Sequence, residues 1–242
     1  MSNVVAQARL VGDLSLFGHF YDVRKIANSR SGEAGILEAQ NFRMFGDFNL
    51  RVEPPGECLA AYDLDAIHSH GDYYGDEFRS VNNLVHQLHS LKMVTGRIDE
   101  IQPDVVLFVR PDLLYHDRFP IWMIRHAARH PDRCFLPHWQ WWGGYNDRFA
   151  ICGRDAFRRY GNRIDHILEY CRQGNRPVHA ERLLRETLRA GHVQLRHLPV
   201  RASRVRLGDL IKPENFNARA TIGPRRLLPE MALSRLLTRV HL

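Results

Sequence analysis

The sequence predicts an α/β fold, and two stretches of the chain carry that reading. Val81, Leu84, Val85, Leu88, Leu91 and Val94 recur at spacings of three and four, which places one apolar stripe on a helix of about five turns. Soon afterwards Val105 to Val109 form a continuous apolar run rich in β-branched residues and too short for an independent helix, the pattern of a central strand covered on both faces. Helix-like and strand-like segments continue to alternate along the rest of the chain without an internal repeat, as in folds that place helices on the faces of a sheet.

In chain order, "ARLVGDLSLFGHF" has a short apolar core ending in Gly18 and predicts a first strand and its turn. Residues 19 to 78 show no usable periodicity, and within them "HSHGDYYGDEF", rich in Gly, Asp, His and Tyr, reads as a surface loop. The apolar helix follows and ends near Gly96. After the strand at 105–109, Pro111 cannot donate to a ladder, so the strand stops there. "CFLPHWQWWGGYNDRFAICGRDAFRRYGNRI" opens with a strand-like piece and an aromatic cluster and turns through Gly143 and Gly144. It continues as a helix with Phe157, Tyr160, Ile164, Ile167 and Leu168 at helical spacing. "PVHAERLLRETLRAGHVQL" sets His179 and Glu181 at a helix start, with Leu183, Leu184 and Leu188 on the buried side. The end of the chain sets Leu228, Met231, Leu236 and Val240 among Arg225, Arg226, Arg235 and Arg239, a basic amphipathic helix suited to docking on the domain or on a second subunit, or to lying on an anionic membrane. Docking is the simpler of these. The expected division is one domain over residues 1–210 and a basic tail over 211–242.

Composition narrows the function classes. With 242 residues, 44% hydrophobic and 25% charged, the chain has enough apolar content to bury a core and is not a disordered polymer. No run approaches the roughly 18 apolar residues of a membrane span, and "MSNVVAQARLVGD" lacks a secretory signal, so the expected compartment is the cytoplasm. Cysteines 58, 134, 152 and 171 have neither CxxC spacing nor a dense disulfide framework, which predicts free, mostly buried thiols. The net charge of +7 is concentrated late: from Arg182 onward there are 13 basic and 4 acidic residues. Phosphates of a small ligand, nucleic acid or an anionic membrane would each suit that surplus, and a solvated basic face needs no partner at all.

Arg110 and Asp112 follow the apolar strand directly, at the place where open α/β sheets carry polar groups to a ligand. Three roles suit the pair. The two side chains can cap the strand or pair with each other and nearby backbone. Asp112 can serve as a hard oxygen ligand for Mg²⁺ or Mn²⁺. Arg110 can hold phosphate oxygens.

Taken in order, "NNLVHQLHSLKMV", "PDVVLFVRPDLLY", "GGYNDRFAICGRDAFRRY", "HAERLLRETL" and "RVR" resemble a group of bacterial and viral glycosyltransferases with the GT-A fold, over about residues 80 to 206. The resemblance implies a Rossmann-like nucleotide-diphospho-sugar transferase with a mixed central sheet flanked by helices. Its activity would move a hexosyl or deoxyhexosyl unit from a nucleotide-sugar donor to a glycan or lipid-linked acceptor hydroxyl in polysaccharide assembly. It further implies a divalent metal, Mn²⁺ or Mg²⁺, held at a D-x-D motif whose place here is taken by Arg110-Pro111-Asp112. The first carboxylate of that motif is absent, leaving Asp112 as its metal ligand and Arg110 to neutralise part of the diphosphate. Arg204 and Arg206 of "RVR" would add donor contacts, and the first strand and its loop, with Gly18, would help to hold the nucleotide base. A setting peripheral to the inner face of the membrane would suit a lipid-linked acceptor, and no nucleic-acid partner is expected.

The departing nucleoside diphosphate gathers negative charge, so a cation belongs beside it. An inverting enzyme also needs a carboxylate to take the acceptor proton. Asp147 and Glu181 are the candidates: Asp147 follows a glycine turn and an aromatic, and Glu181 opens a helix. Each also has an ordinary structural explanation, Asp147 as a turn residue and Glu181 as an acid favoured by the helix dipole. Trp139, Trp141 and Trp142 suggest sugar stacking, although at least one is expected in the core. His68, His70 and Asp72 fall short of a zinc signature, and His197 could supply a late metal ligand like the C-terminal histidine of many GT-A enzymes. Two readings from other classes compete: a nucleic-acid-binding module built on the basic C-terminal region, and an inactive transferase-like partner subunit.

Overall fold

The computed structural model describes residues 2–28, 33–38 and 40–217. The expected amphipathic tail lies largely outside the described residues, since none beyond 217 is described. The N-terminal part contains α1 (Ser2–Arg9), β1 (Phe17–Tyr21), β2 (Lys25–Asn28), β3 (Glu33–Ile36), β4 (Asn49–Glu53), α2 (Pro55–Ala60) and α3 (Leu64–His68). β1 pairs with β4 in parallel and β2 with β3 antiparallel, as two small separate sheets. The strand expected around "ARLVGDLSLFG" is corrected at both ends. Ala8 and Arg9 belong to α1, and Gly18 lies inside β1 instead of ending it.

The apolar stripe forms α4 (Arg79–Asp99), which runs past Gly96. Its start is fixed by the loop before it. Asp72 accepts the backbone N–H groups of Tyr74, Asp76 and Phe78 at 3.1, 2.8 and 2.9 Å, and Asp76 then accepts from Ser80 N and Oγ, supplying acceptors to first-turn groups. The segment read as a polar loop is therefore an ordered turn organised on one carboxylate.

After α4 come β5 (Val105–Phe108), β6 (Leu113–Tyr115), α5 (Ile121–Arg129), β7 (Arg133–Pro137), β8 (Ala150–Gly153), α6 (Ala156–Gly161), α7 (Ile167–Gly174), α8 (Ala180–Ala190), β9 (Gln194–Leu198), β10 (Ala202–Arg206) and β11 (Leu210–Ile211). The main sheet has the order β5-β8-β7-β9; β7 and β9 are parallel and the other pairs antiparallel. β5 is therefore an edge strand of this sheet and not the central strand its apolar run suggests. It still has covered faces. Val106 and Phe108 pack with residues of α4, α6 and α8, while Val105 and Leu107 pack with the cluster containing Met123, Ile124 and Ala127 of α5. Helices on both sides thus explain why both sets of β5 side chains are apolar. The chain is a mixed α/β protein.

The helix expected through Phe157 and Leu168 is broken. α6 ends at Gly161, a 3₁₀ turn spans Arg163–His166, and α7 starts at Ile167. Arg163, only 1% exposed, lies in the break, where its Nη1 donates to Tyr160 O at 2.7 Å. A third core cluster joins α4 to this part through Val81, Leu84, Val85, Leu88, Ile164 and Ile167. All four cysteines are buried and free, and among the described residues no helix is long and apolar enough to cross a membrane.

Candidate functional site

β5 ends at Phe108, and the turn into β6 carries Arg110 and Asp112. Arg110 Nε donates to Asp112 Oδ1 at 2.9 Å and Nη2 to Oδ2 at 2.7 Å, a bidentate pair. Tyr115 Oη accepts the Arg110 N–H at 3.0 Å and donates back to Arg110 O at 3.3 Å, which fixes the turn. Burial works against the charge on Arg110, but facing Asp112 it is held more firmly protonated than usual. Burial likewise works to raise Asp112, yet the charge and hydrogen bonds of Arg110, with a smaller contribution from Arg206, hold its carboxyl below the usual range.

From this pair a hydrogen-bonded line leads to Asp147. Arg110 Nη1 donates to Gln87 Oε1 at 3.2 Å, and Gln87 Nε2 donates to Asp147 Oδ2 at 3.0 Å. Arg163 Nη2 lies 3.6 Å from the same oxygen. The backbone at Asp147 is held as well. Buried Asn146 donates to Trp139 O at 2.7 Å and accepts from Arg148 N at 3.1 Å, while Tyr160 Oη donates to Asp147 O at 2.9 Å.

Glu181 is brought to the same turn. Its carbonyl accepts from Tyr145 N at 2.8 Å, and a Cβ on Gly144 would stand 2.0 Å from its backbone, so only glycine allows this approach. Glu181 Oε2 lies 3.2 Å from Nδ1 of His179. Burial, assisted by the charge of Arg182 and opposed by that of Asp147, pulls His179 down to about 4. Tyr73 sets its ring edge-on to His179 at 4.5 Å, so the loop before α4 folds over this corner.

The other side of Asp112 is cationic. Val205 N donates to Asp112 O at 2.8 Å, which brings β10 and its two arginines against the turn. Arg204 Nε donates to Glu214 Oε1 at 2.9 Å, Arg148 Nη1 lies 3.3 Å from that oxygen, and Arg206 Nη1 donates to Glu33 Oε2 at 2.9 Å. The like charge of Arg204 is the main cause that pulls Lys212 below its ordinary value, with Arg206 and Arg148 adding to it. Arg148 and Arg204 thus share the carboxylate of Glu214 with Lys212 nearby, while Arg206 pairs with Glu33, so four cations meet two carboxylates and positive charge is in excess.

Other expected residues fall elsewhere. Gly18 sits where a Cβ would stand 2.6 Å from Leu50 Cδ2, so its described surroundings are a close packing of β1 on β4. His197 is buried against Trp141 and is pulled down to about 4 by burial. His68 pairs with Asn82 and stacks on Phe78. Trp139 and Trp141 are core residues, whereas Trp142 is 50% exposed. Both oxygens of Asp112 accept from Arg110, so a divalent cation there would share the carboxylate with that guanidinium. Among the described residues, a group of three side chains spaced for a metal is His19, Glu53 and His89. Sequence reasoning missed that group, together with Gln87, Arg163, Arg148 and Glu214. A glutamine and a histidine within an apolar helical stripe were the available signals.

No family description matches this chain, and neither curated proteins nor solved structures match it.

Proposed function

We propose that the protein is a GT-A-like glycosyltransferase that moves a sugar from a nucleotide-sugar donor to a glycan or lipid-linked acceptor hydroxyl. The observation that carries this reading is the excess of cationic side chains at Asp112, connected through Arg110 and Gln87 to the carboxylate of Asp147. The acceptor oxygen attacks the anomeric carbon and the bond from that carbon to the phosphate oxygen breaks. The departing diphosphate carries the electron pair away, and the acceptor proton passes to a carboxylate. Arg204, Arg206 and Lys212 offset the charge that grows on the diphosphate, an effect that is often the largest in such catalysis. Arg110, already saturated by Asp112 and Gln87, positions the turn. Gln87 and Arg163 both meet Oδ2 of Asp147, which leaves Oδ1 to take the proton. Glu181 is the second candidate base and lies beside a neutral His179. No step is assigned to a metal at Asp112.

Thermal stabilisation by a panel of nucleoside diphosphates and nucleotide-sugars tests this reading, with and without Mn²⁺. A nucleotide present at 100 times its dissociation constant stabilises by about 2.7 kcal/mol, on the order of 5–10 °C for a chain of this size. The expected result is a shift for one nucleotide family without added metal, weakened about 10- to 100-fold in Arg204→Ala through loss of a charge-assisted contact. Absence of any shift would overturn the transferase. Salt-sensitive binding of oligonucleotides that ignores Asp112→Asn would favour the nucleic-acid module instead. Binding of a donor without hydrolysis or transfer would favour the inactive subunit.

A further inference from the structure

Three side chains from distant parts of the chain meet where β1, β4 and α4 come together. His19 lies in β1, Glu53 ends β4 and His89 belongs to α4; their ligand atoms all lie within 4.8 Å of one another. His19 Nε2 is 3.2 Å and His89 Nε2 3.0 Å from the same oxygen, Glu53 Oε2. In a tetrahedral zinc site with bonds near 2.0–2.1 Å, neighbouring ligand atoms stand about 3.3 Å apart. Both edges are therefore close to the size such an ion requires.

The placement of protons makes the same point. Ser90 Oγ donates to His19 O at 3.4 Å and lies 3.1 Å from His19 Nδ1, so Nδ1 carries a proton and donates it to Ser90. A neutral His19 then turns the lone pair of Nε2 toward a carboxylate oxygen. Its side chain has no exposed surface, and Nε2 has no hydrogen-bond partner despite the short distance to Glu53. Two facing lone pairs repel unless a second proton or a cation lies between them.

The surrounding groups hold the three ligands in place. Tyr62 Oη lies 2.9 Å from His89 Nδ1, and Arg51 Nη2 lies 2.6 Å from Glu53 Oε1, which leaves Oε2 to the histidines. Each imidazole is thus gripped through the nitrogen that does not face Glu53, as in metal sites whose outer partners fix ring orientation.

We infer that His19, Glu53 and His89 bind one divalent transition ion of the zinc class, with a fourth position left for water. Two imidazoles and one carboxylate suit Zn²⁺ or Co²⁺ and do not suit Mg²⁺, which prefers oxygen ligands. The ion would clip the β1–β4 pair to α4. This site is separate from Arg110 and Asp112, and nothing about it depends on the transferase reading.

The full-length chain, stripped with a chelator and desalted, is titrated with Co²⁺ and followed by visible absorption, then with Zn²⁺. The expected result is one equivalent of Co²⁺ with the bands of a four-coordinate site, displaced by Zn²⁺ and unaffected by Mg²⁺. Glu53→Gln, which keeps the side-chain size, and His89→Ala lose this equivalent, while Tyr62→Phe weakens it about 10- to 100-fold. Native circular dichroism of Glu53→Gln separates loss of the ligand from loss of the fold. Absence of a stoichiometric cobalt band in the wild-type chain would overturn the inference. So would equal affinity in natively folded Glu53→Gln, which would assign the metal to others among the 14 histidines.

Discussion

On one side of α4, Gln87 reaches between Arg110 and Asp147; on another, His89 and Ser90 close upon His19 and Glu53. The first group is partly open, with the side chains of Arg110 and Asp112 33% and 37% exposed, and every nitrogen of the Arg110 guanidinium already has an acceptor. The second is closed, and its buried His19 Nε2 faces Glu53 Oε2 at 3.2 Å without a well-formed hydrogen bond. An open cluster can exchange an internal partner for a ligand at small cost, because water compensates while it rearranges. A closed cluster has no such reserve, and a ring nitrogen that faces a carboxylate there without a hydrogen bond marks a place where something is wanting. The pair of clusters shows that saturation and burial must be read together before a polar group is given a function.

Asp147→Ala tests the open cluster most severely. It leaves Arg163, 1% exposed, without its carboxylate partner, and loss of one member of a buried pair costs about 3–5 kcal/mol. Transfer activity should fall about 10²- to 10⁴-fold if Asp147 is the base. Urea melts and kinetics on Asp147→Asn, which keeps the shape of the side chain, separate the effects. Full activity in that variant would move the base to Glu181.

Leu88→Ala strikes the shared support. Leu88 is fully buried on α4 in the apolar cluster that joins this helix to Ile164 and Ile167, and removing such a side chain costs about 2–5 kcal/mol. Both groups depend on α4 for placement, so nucleotide affinity and cobalt affinity should decline together. A variant that weakened one and spared the other would show that the two sides of the helix are not mechanically joined.

How far these clusters could be read from the sequence follows from the distances along the chain. The stripe Val81 to Val94 and the short run before Arg110 are local signals, and both became the elements they suggest. Strand order is not local, and so an apolar strand that is covered on both sides by helices looked central although it lies at an edge. Arg110 and Asp112 stood out because two polar residues interrupt an apolar stretch. His19, Glu53 and His89 did not, because 34 and 36 residues separate successive members and no spacing rule spans such gaps. Arg163 stands in "FRRYGNRI" beside other arginines with nothing local to single it out, and in the fold it lies buried in the break between two helices.

Acid should distinguish the clusters by a smaller amount. His179 and His197 are held neutral by burial down to about 4, whereas an unfolded histidine takes up its proton near 6.5. The unfolded state therefore binds more protons between those values. Stability is fully present above about pH 6.5 and falls as the pH drops toward 4, by on the order of 3 kcal/mol for each histidine. Denaturant melts at several pH values should show this slope, and His179→Gln should flatten it without changing cobalt binding. A bound ion at the closed cluster would add its own loss in acid, because protons compete with a metal for imidazole ligands. Metal-loaded protein should accordingly show the steeper slope of the two.

The smallest expected change in stability is at Trp142, and there the contrast between exposure and burial bears on the acceptor. Trp139 and Trp141 spend their indole N–H groups on Val200 O and Pro137 O and belong to the core, while Trp142 follows them half-exposed in the turn that leads to Asp147. A surface substitution of this kind changes stability by no more than about 0.5 kcal/mol, so Trp142→Ala should melt with the wild type. An exposed aromatic face can nevertheless bind a sugar ring by its apolar side. If it does so here, Trp142→Ala raises the acceptor KM and leaves nucleotide binding alone, because its effect is confined to the acceptor's side of the site. An unchanged KM for every acceptor would assign the exposed indole to the surface.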